Sequence, residues 1–557
     1  MWKGHGRKEE KMRYRINQIK LNFDESEDRI PKRILDRLKN NSIEIDQWDI
    51  RRKSIDARHK DDIKYVYTVD FSVVDRKSGQ PLLLKVGKGS EKGTAFVRCK
   101  KNEIAEVDEK QFEIPLLTGN KPENPPVIAG FGPCGIFAAL VLAKAGMNPV
   151  VVERGKDVDR RTEDVNRFWN GGELNTQSNV QFGEGGAGTF SDGKLTTGIN
   201  NPSMSYVLRE FVKAGAPEDI LYLKKAHIGT DILKDVVKNI RQQIIELGGR
   251  ILFSTKLTGI QRQGQDGRIS AVEITDIEEN GMISDRVHTI ATENLILAIG
   301  HSARDTFRYL NEVGVSMEQK PFSMGVRIQH HQKMINRAQY GKDNLDYKMK
   351  YLPPADYKLS HHCENGRGVY TFCMCPGGYV IKAASESETA VTNGMSYHAR
   401  DGKYANSGLL VDVRTEDFPG DDALAGVRLQ EEYEHLSYIN GGRTGIGPMA
   451  TWKQVRDDEK KAQPLKNSLP DFVVESIKEA MPYLGNRLTG FDSDDALLLA
   501  VESRSSSPVK FPRNENQESN VLGLYPAGEG TGHAGGIVSA ACDGIRIAET
   551  IIKRYNK

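Results

Sequence analysis

Pro125-Pro126-Val127-Ile128-Ala129-Gly130-Phe131-Gly132-Pro133-Cys134-Gly135, followed by a helix-like run and then Val150-Val151-Val152-Glu153-Arg154-Gly155, decides the fold. The order is strand, glycine turn, helix, and a second strand ending in an acid. Gly130 permits the tight turn, Gly132 lets backbone approach a pyrophosphate, and Gly135 lets the helix pack closely on the sheet. The helix start at Pro133 and Cys134 turns free N–H groups toward phosphate. Ala139, Ala143 and Gly146 put small residues along the helix where it must lie near the strands. Val127-Ile128-Ala129 is apolar throughout, as a buried parallel strand should be. Glu153 comes eighteen residues after Gly135, close to the spacing of an acid that binds ribose hydroxyls, with Arg154 beside it. The segment is read as binding the ADP half of a dinucleotide. An ordinary strand–helix–strand unit is the weaker reading.

The C-terminal region separates FAD from NAD. Val521-Leu522-Gly523-Leu524-Tyr525-Pro526-Ala527-Gly528-Glu529-Gly530 is a short apolar strand ending in an acid. Gly535, Gly536 and a helical run from about Ile537 follow it. Such a strand brings a carboxylate to the ribityl chain, and the helix aims its positive end at the flavin pyrimidine. Glu529 stands where Asp is usual. Asn294-Leu295-Ile296-Leu297-Ala298-Ile299-Gly300 is expected to cross beneath the dinucleotide, with Gly300 in contact. The order of these pieces favours FAD. No second GxGxxG follows a strand, so no separate nicotinamide domain is visible, and NADH or NADPH would act as a transient reductant.

Composition narrows the class. The 557 residues are 38% hydrophobic and 28% charged, with a net charge of +2, as in a globular protein of several domains. That charge gives no broad reason to expect nucleic acid or anionic membrane. Six scattered cysteines do not make a secreted disulfide framework. No signal peptide or spanning segment is expected, and a reducing, cytoplasmic location follows. Met12 is the expected functional start, with residues 1–11 an upstream extension.

Four spans are expected within an α/β fold. An N-terminal α+β domain covers 1–117, and a Rossmann-like FAD-binding domain covers 124–310 and 496–557. An inserted α+β substrate or cap domain covers 311–495. Tyr14 to Leu21 and Tyr65 to Phe71 alternate like strands, and Ile34 to Leu38 fits a helix. Arg51-Arg52-Lys53 and Arg58-His59-Lys60 read as a solvated face, with an RNA-binding arm as the rival.

Several segments carry candidate chemistry. The loop from Phe182 to Leu195, too Gly-rich for a helix or strand, is expected to touch the cofactor through Gly185, Gly186, Gly188 and Thr189. Lys194 or Ser191 would stand near the flavin edge. Val369 to Ile381 reads as a hairpin with Cys373 and Cys375 on one face and Phe372 and Met374 on the other. Packing, a metal site with Cys363 and His361 or His362, a strained disulfide, and a reactive thiol compete there. No metal is expected, because a C-x-C pair chelates zinc poorly. Glu502 and Arg504 share a strand face, as a substrate-carboxylate clamp or an ion pair. His301 is either a proton donor or structural.

Together, Gly130 to Gly135, Phe182 to Lys194, Cys373-Met374-Cys375-Pro376-Gly377-Gly378, Glu502 to Pro508 and Ala527 to Gly536 resemble the bacterial family of uncharacterised FAD-dependent dehydrogenases. The resemblance runs from about Arg13 to the end. It implies FAD, an oxidoreductase activity, and a glutathione-reductase-type plan with an added N-terminal domain. It names no substrate. The leading expectation is an FAD-dependent oxidoreductase acting on a small organic molecule. A flavin-dependent RNA-modifying enzyme and a non-catalytic electron carrier or redox sensor are the alternatives. The oligomeric state is not legible.

Overall fold

The computed structural model describes residues 12–100, 103–107, 112–198, 201–265 and 267–556. The expected extension at 1–11 lies outside them. The chain divides into two compact units. The smaller takes Met1–Gln111 with Glu218–Ala226 and Gln339–Pro353, two later segments that local sequence pattern did not assign to it.

The smaller unit is a four-stranded antiparallel sheet in the order Ile43–Asp56, Lys64–Asp75, Tyr14–Asn22, Ile104–Glu106. Helix Ile30–Leu38 places Ile30, Ile34 and Leu38 on one face, all buried against Ile16, Leu21, Val69 and Phe71. The strand Ile43–Asp56 was not expected. It carries Arg51-Arg52-Lys53, whose charges hide its alternation. Arg51 pairs with Asp70 at 2.7 Å, Lys53 with Glu27 at 2.6 Å and Arg58 with Asp56 at 2.7 Å. The later segments join by backbone and hydroxyl contacts. Lys224 donates its amide to the Lys53 carbonyl, and the Tyr65 hydroxyl to the Tyr351 carbonyl.

The larger unit is built on a parallel sheet in the order Leu524–Pro526, Leu295–Leu297, Val127–Ala129, Val150–Val152, Arg250–Leu252. Its apolar strands are buried on both faces, under helices on one and, on the other, against Leu257, Ile269, Val272 and Ile274 of a three-stranded antiparallel sheet, Thr255–Gln263, Arg268–Ile277 and Ile283–Ala291. Helix Pro133–Lys144 lies so close that a Cβ on Gly135 would stand 2.0 Å from the Gly130 carbonyl oxygen. Helix Ile537–Tyr555 packs on it equally closely, since a Cβ on Gly544 would meet the Cys134 carbonyl oxygen at 2.1 Å. Ala139 and Ala143 are buried on the first helix, but Gly146 lies beyond its end, in a turn at φ 77°.

A second sheet of six antiparallel strands has the order Ser360–His362, Gly368–Cys375, Tyr404–Val413, Phe322–His331, Leu497–Glu502, Met449–Thr451. It draws Leu497–Glu502 from beyond the expected boundary at 495. The expected hairpin from Val369 to Ile381 is not formed. Gly368–Cys375 pairs with Tyr404–Val413, whereas Tyr379–Lys382 pairs with Thr392–Met395. The chain turns away because Gly377 is held by Gln332, and a Cβ there would meet the Arg400 carbonyl oxygen at 1.8 Å. The fold is α/β, with a Rossmann-like sheet, an inserted mixed region and a small N-terminal α+β unit.

Candidate cofactor pocket and active site

A cavity of about 360 Å³ opens along the C-terminal ends of the parallel strands, the usual ligand position in such sheets. Gly130, Gly132, Pro133 and Cys134 line it, with Glu153 and Arg154 from the next strand end. Gly186, Gly188 and Lys194 of the glycine-rich loop, then Gly300 and His301, continue the wall. Gly528, Glu529, Gly535, Gly536 and Ile537 line it too, and the six-stranded sheet adds Cys373 and Glu502, with Arg504 just past its strand.

Four of the expected contacts stand off the wall. Gly135 is turned to the sheet. Gly185 donates its amide to the Phe131 carbonyl at 2.8 Å, and the buried Thr189 hydroxyl donates to the Glu184 carbonyl at 3.2 Å. Both fix the loop from behind. Cys375 is fully buried behind Cys373.

The wall suits a dinucleotide. Helix Pro133–Lys144 has no side-chain cap at Gly132, and Pro133 has no N–H, so the first-turn amides are free for an anion. A second helix, Ile537–Tyr555, also starts uncapped at Gly536. A Cβ on Gly132 would meet nothing nearer than the Gly186 Cα at 3.7 Å, and one on Gly300 or Gly535 would meet nothing within 4 Å. Bare backbone therefore faces the cavity at these points, whereas a Cβ on Gly130 would strike the Ala298 carbonyl oxygen at 2.3 Å.

Glu153 organises this end. Its buried carboxylate accepts the amides of Phe131 at 2.7 Å and of Gly155 and Gly183 at 2.9 Å, joining the glycine turn to the glycine-rich loop. A carboxylate has about four acceptor sites, so one remains for a hydroxyl. Fully buried Arg161 holds the same loop through the carbonyls of Asn179, Val180 and Glu184. Arg154 pairs with Asp305 at 2.8 Å and lies 4.4 Å from the Phe182 ring centroid.

A thiol stands among cations elsewhere on the wall. Lys194 Nζ lies 4.0 Å from Cys373 Sγ, donates to the Met374 carbonyl, and pairs with Asp192 at 3.3 Å. Buried Arg327 donates Nη1 to both oxygens of Glu502, at 2.8 and 2.9 Å, and Nη2 to the Cys373 carbonyl at 2.6 Å. A hydrogen bond from the Cys375 thiol holds Cys373 well below the ordinary thiol range, with Lys194 and Arg327 adding to it. Burial pushes the Glu502 carboxyl up, against the pull of Arg327.

Glu502 and Arg504 do not pair with each other. The strand ends at Glu502, which takes Arg327, while Arg504 turns to Glu434 and Glu386. All five N–H groups of Arg504 are used, on Glu434 twice, Glu386, Ser302 and Ser385. It therefore lines the cavity without a free donor for a substrate carboxylate. Arg304 shares fully buried Glu434 at 2.8 Å. Beside these guanidinium groups His301 stays neutral: burial and then Arg504 and Arg304 push it down to about 3. A charged imidazolium is disfavoured there, and the ring bonds through Nδ1 with the Ser302 hydroxyl at 3.1 Å. Glu529 faces the cavity and is pushed up to about 7 by burial, partly opposed by Lys320.

Sequence reading missed Arg327, Lys320 and Asp192, and it put Phe372 on the face opposite Cys373, whereas both line the cavity. A lone Arg inside Phe322-Ser323-Met324-Gly325-Val326-Arg327-Ile328 was the available signal, since buried charge needs a partner. Cys363 and His361 gather with Glu479, all ligand atoms within 4.8 Å of one another. Cys363 there donates to the Ser476 carbonyl at 3.5 Å, and Glu479 accepts the Glu364 amide at 2.9 Å.

Among the described residues, no helix is long and apolar enough to cross a membrane. Residues 321–505 match the family described as "FAD-dependent protein, C-terminal domain-like". That span runs from strand Phe322–His331 to just past Leu497–Glu502. Residues 13–72 match a domain of unknown function, DUF8436. A Clostridium beijerinckii protein, named only as an uncharacterized protein, is 45% identical over 98% of this chain and 99% of its own. The solved glycine oxidase from Bacillus cereus is 11% identical, with a TM-score of 0.32 over 78% of this chain and 96% of that one. The glycerol-3-phosphate dehydrogenase from Bacillus halodurans complexed with FAD is 14% identical, with a TM-score of 0.32 over 79% and 65%. With a matched family of FAD-dependent proteins and a wall of this shape, FAD is the cofactor.

Proposed function

This chain belongs to one family with the Clostridium beijerinckii protein, and on the geometry of its pocket we propose that it is an FAD-dependent oxidoreductase. In this reading it transfers hydride or electrons between flavin and a small organic substrate. Bound there, FAD supplies an acceptor and donor of an electron pair. The first-turn amides after Gly132, with Pro133 and Cys134, bind pyrophosphate, and Glu153 takes a ribose hydroxyl. Glu529 serves the ribityl chain. The helix start at Gly536 and Ile537 favours negative charge on the reduced ring. The dinucleotide half follows the glutathione-reductase-type plan.

Cys373, Lys194 and Glu502 form the substrate corner. The observation that carries this reading is that one cavity wall joins two uncapped helix starts to a cation-flanked thiol. Such a corner favours a substrate that gains or shares negative charge as it reacts. NADH or NADPH serves as transient reductant.

Anaerobic mixing with each nicotinamide, followed by a panel of organic oxidants, tests this. Bleaching of the flavin band and its recovery with an organic compound is expected. Reduction without turnover of any organic compound would favour an electron carrier or redox sensor instead.

A further inference from the structure

Cys373 and Cys375 are separated by one residue on a strand. In a regular strand their Cα atoms would lie about 7 Å apart, at the limit for a disulfide. The strand is not regular here. Its register with Tyr404–Val413 passes from Phe372↔Gly408 to Cys375↔Asn406, so it carries one extra residue. Cys373 takes up that residue with φ at 43°, a left-handed conformation uncommon outside glycine.

The bend folds Cys375 back onto the backbone of Cys373. The Cys375 thiol donates to the Cys373 carbonyl at 3.3 Å. One guanidinium nitrogen, Arg327 Nη2, holds the bend by donating to the Cys373 carbonyl at 2.6 Å and to Cys375 Sγ at 3.4 Å. Lys194 supplies a cation at 4.0 Å from the Cys373 sulfur. Only Cys373 lines the cavity, with Cys375 buried behind it. The pair is thus arranged as a thiolate facing the cofactor and a thiol behind it.

We propose that Cys373 and Cys375 are a redox-active dithiol that exchanges an electron pair with the bound FAD. This rests on the pocket being the FAD site argued above. The step balances as Cys373 thiolate, Cys375 thiol, FAD and one proton giving the Cys373–Cys375 disulfide and FADH2. The sulfur–sulfur bond forms, the Cys375 S–H bond breaks, the two thiols lose the electron pair, and FAD gains it with two protons. The protein then stores two electron pairs, one on flavin and one on sulfur.

The test is anaerobic titration of the ferricyanide-oxidised holoprotein with dithionite. Samples are quenched in acid, alkylated under denaturing conditions and read by peptide mass. The wild type should take up twice the reducing equivalents per flavin taken up by Cys375→Ser and Cys373→Ser. The peptide carrying both cysteines should alkylate only after reduction. Equal uptake in wild type and variants, with both thiols alkylated in the oxidised protein, overturns the proposal and leaves the FAD site standing. Where a variant loses flavin, alkylation of the wild type decides alone. A wild type that binds no flavin overturns the underlying reading and this proposal with it.

Discussion

Lys194 Nζ lies 4.0 Å from Cys373 Sγ although 179 residues separate them in sequence. The ammonium is also tied to Asp192 and the Met374 carbonyl, so it is held in place. A cation fixed beside a sulfur favours its thiolate form. Lys194→Met should therefore raise the pH midpoint for alkylation of Cys373. Once the midpoint lies above pH 7, the iodoacetamide rate at pH 7 should fall roughly tenfold for each further unit. An unchanged midpoint would mean that Lys194 does not govern the thiol.

Two glycines two residues apart should respond differently to alanine. Gly132 has φ −80°, and its Cβ would meet only the Gly186 Cα at 3.7 Å. Gly132→Ala should change stability by about 1 kcal/mol or less while weakening FAD binding at least roughly tenfold, because the methyl occupies cofactor space. Gly130→Ala should fail to fold stably, since φ is 100° and the Cβ would strike a carbonyl oxygen at 2.3 Å. Denaturation and flavin-fluorescence titrations check both. Unimpaired FAD binding by Gly132→Ala would contradict the placement.

Glu434 and Glu386 together neutralise two buried guanidinium groups, those of Arg304 and Arg504. Removing one partner of a buried ion pair leaves uncompensated charge, at about 3–5 kcal/mol. Glu434→Ala should lower the unfolding midpoint accordingly, measured by urea denaturation. A change below about 1 kcal/mol would show that water enters and solvates the two arginines.

Glu529 sets a pH dependence. Its folded value, about 7, lies above the unfolded value of about 4.3. At this group the native state then binds more protons between these values, so its contribution to stability is full below about pH 4.3 and is lost as pH rises to about 7. Glu184, raised to about 6, adds to the same slope. Buried His301, His227 and His330, pushed down to about 3, 4 and 4, act in the opposite sense over this range. The readout is therefore the difference in thermal melting between FAD-free wild type and Glu529→Gln, which should move against the wild type as pH rises from about 4.3 to 7. A slope unchanged by Glu529→Gln would contradict a buried carboxyl at this position.

Local pattern made the dinucleotide half legible. Val127-Ile128-Ala129, the glycine turn and the acid at Glu153 sit within thirty residues, and each carries its own steric or charge signature. The strands ending at Leu297 and Pro526 were readable for the same reason. Glu153 was found, yet its bonds to Gly155 and Gly183 were not, because they depend on where the later loop returns. Alternation put Cys373 and Cys375 on one regular face, and the bulge that folds Cys375 back onto the Cys373 backbone is set by Arg327, 46 residues away. Glu502 and Arg504 looked like a pair because they are neighbours. Their partners, Arg327 and Glu434, come from other elements of the larger unit. Pairing across the fold, more than propensity, decided what sequence could not show.

The most direct test of the FAD site is the purified protein itself. It should be yellow, with a flavin absorbance band, and should release about one FAD per chain on denaturation, identified by chromatography. A colourless protein that binds no added FAD would contradict the account.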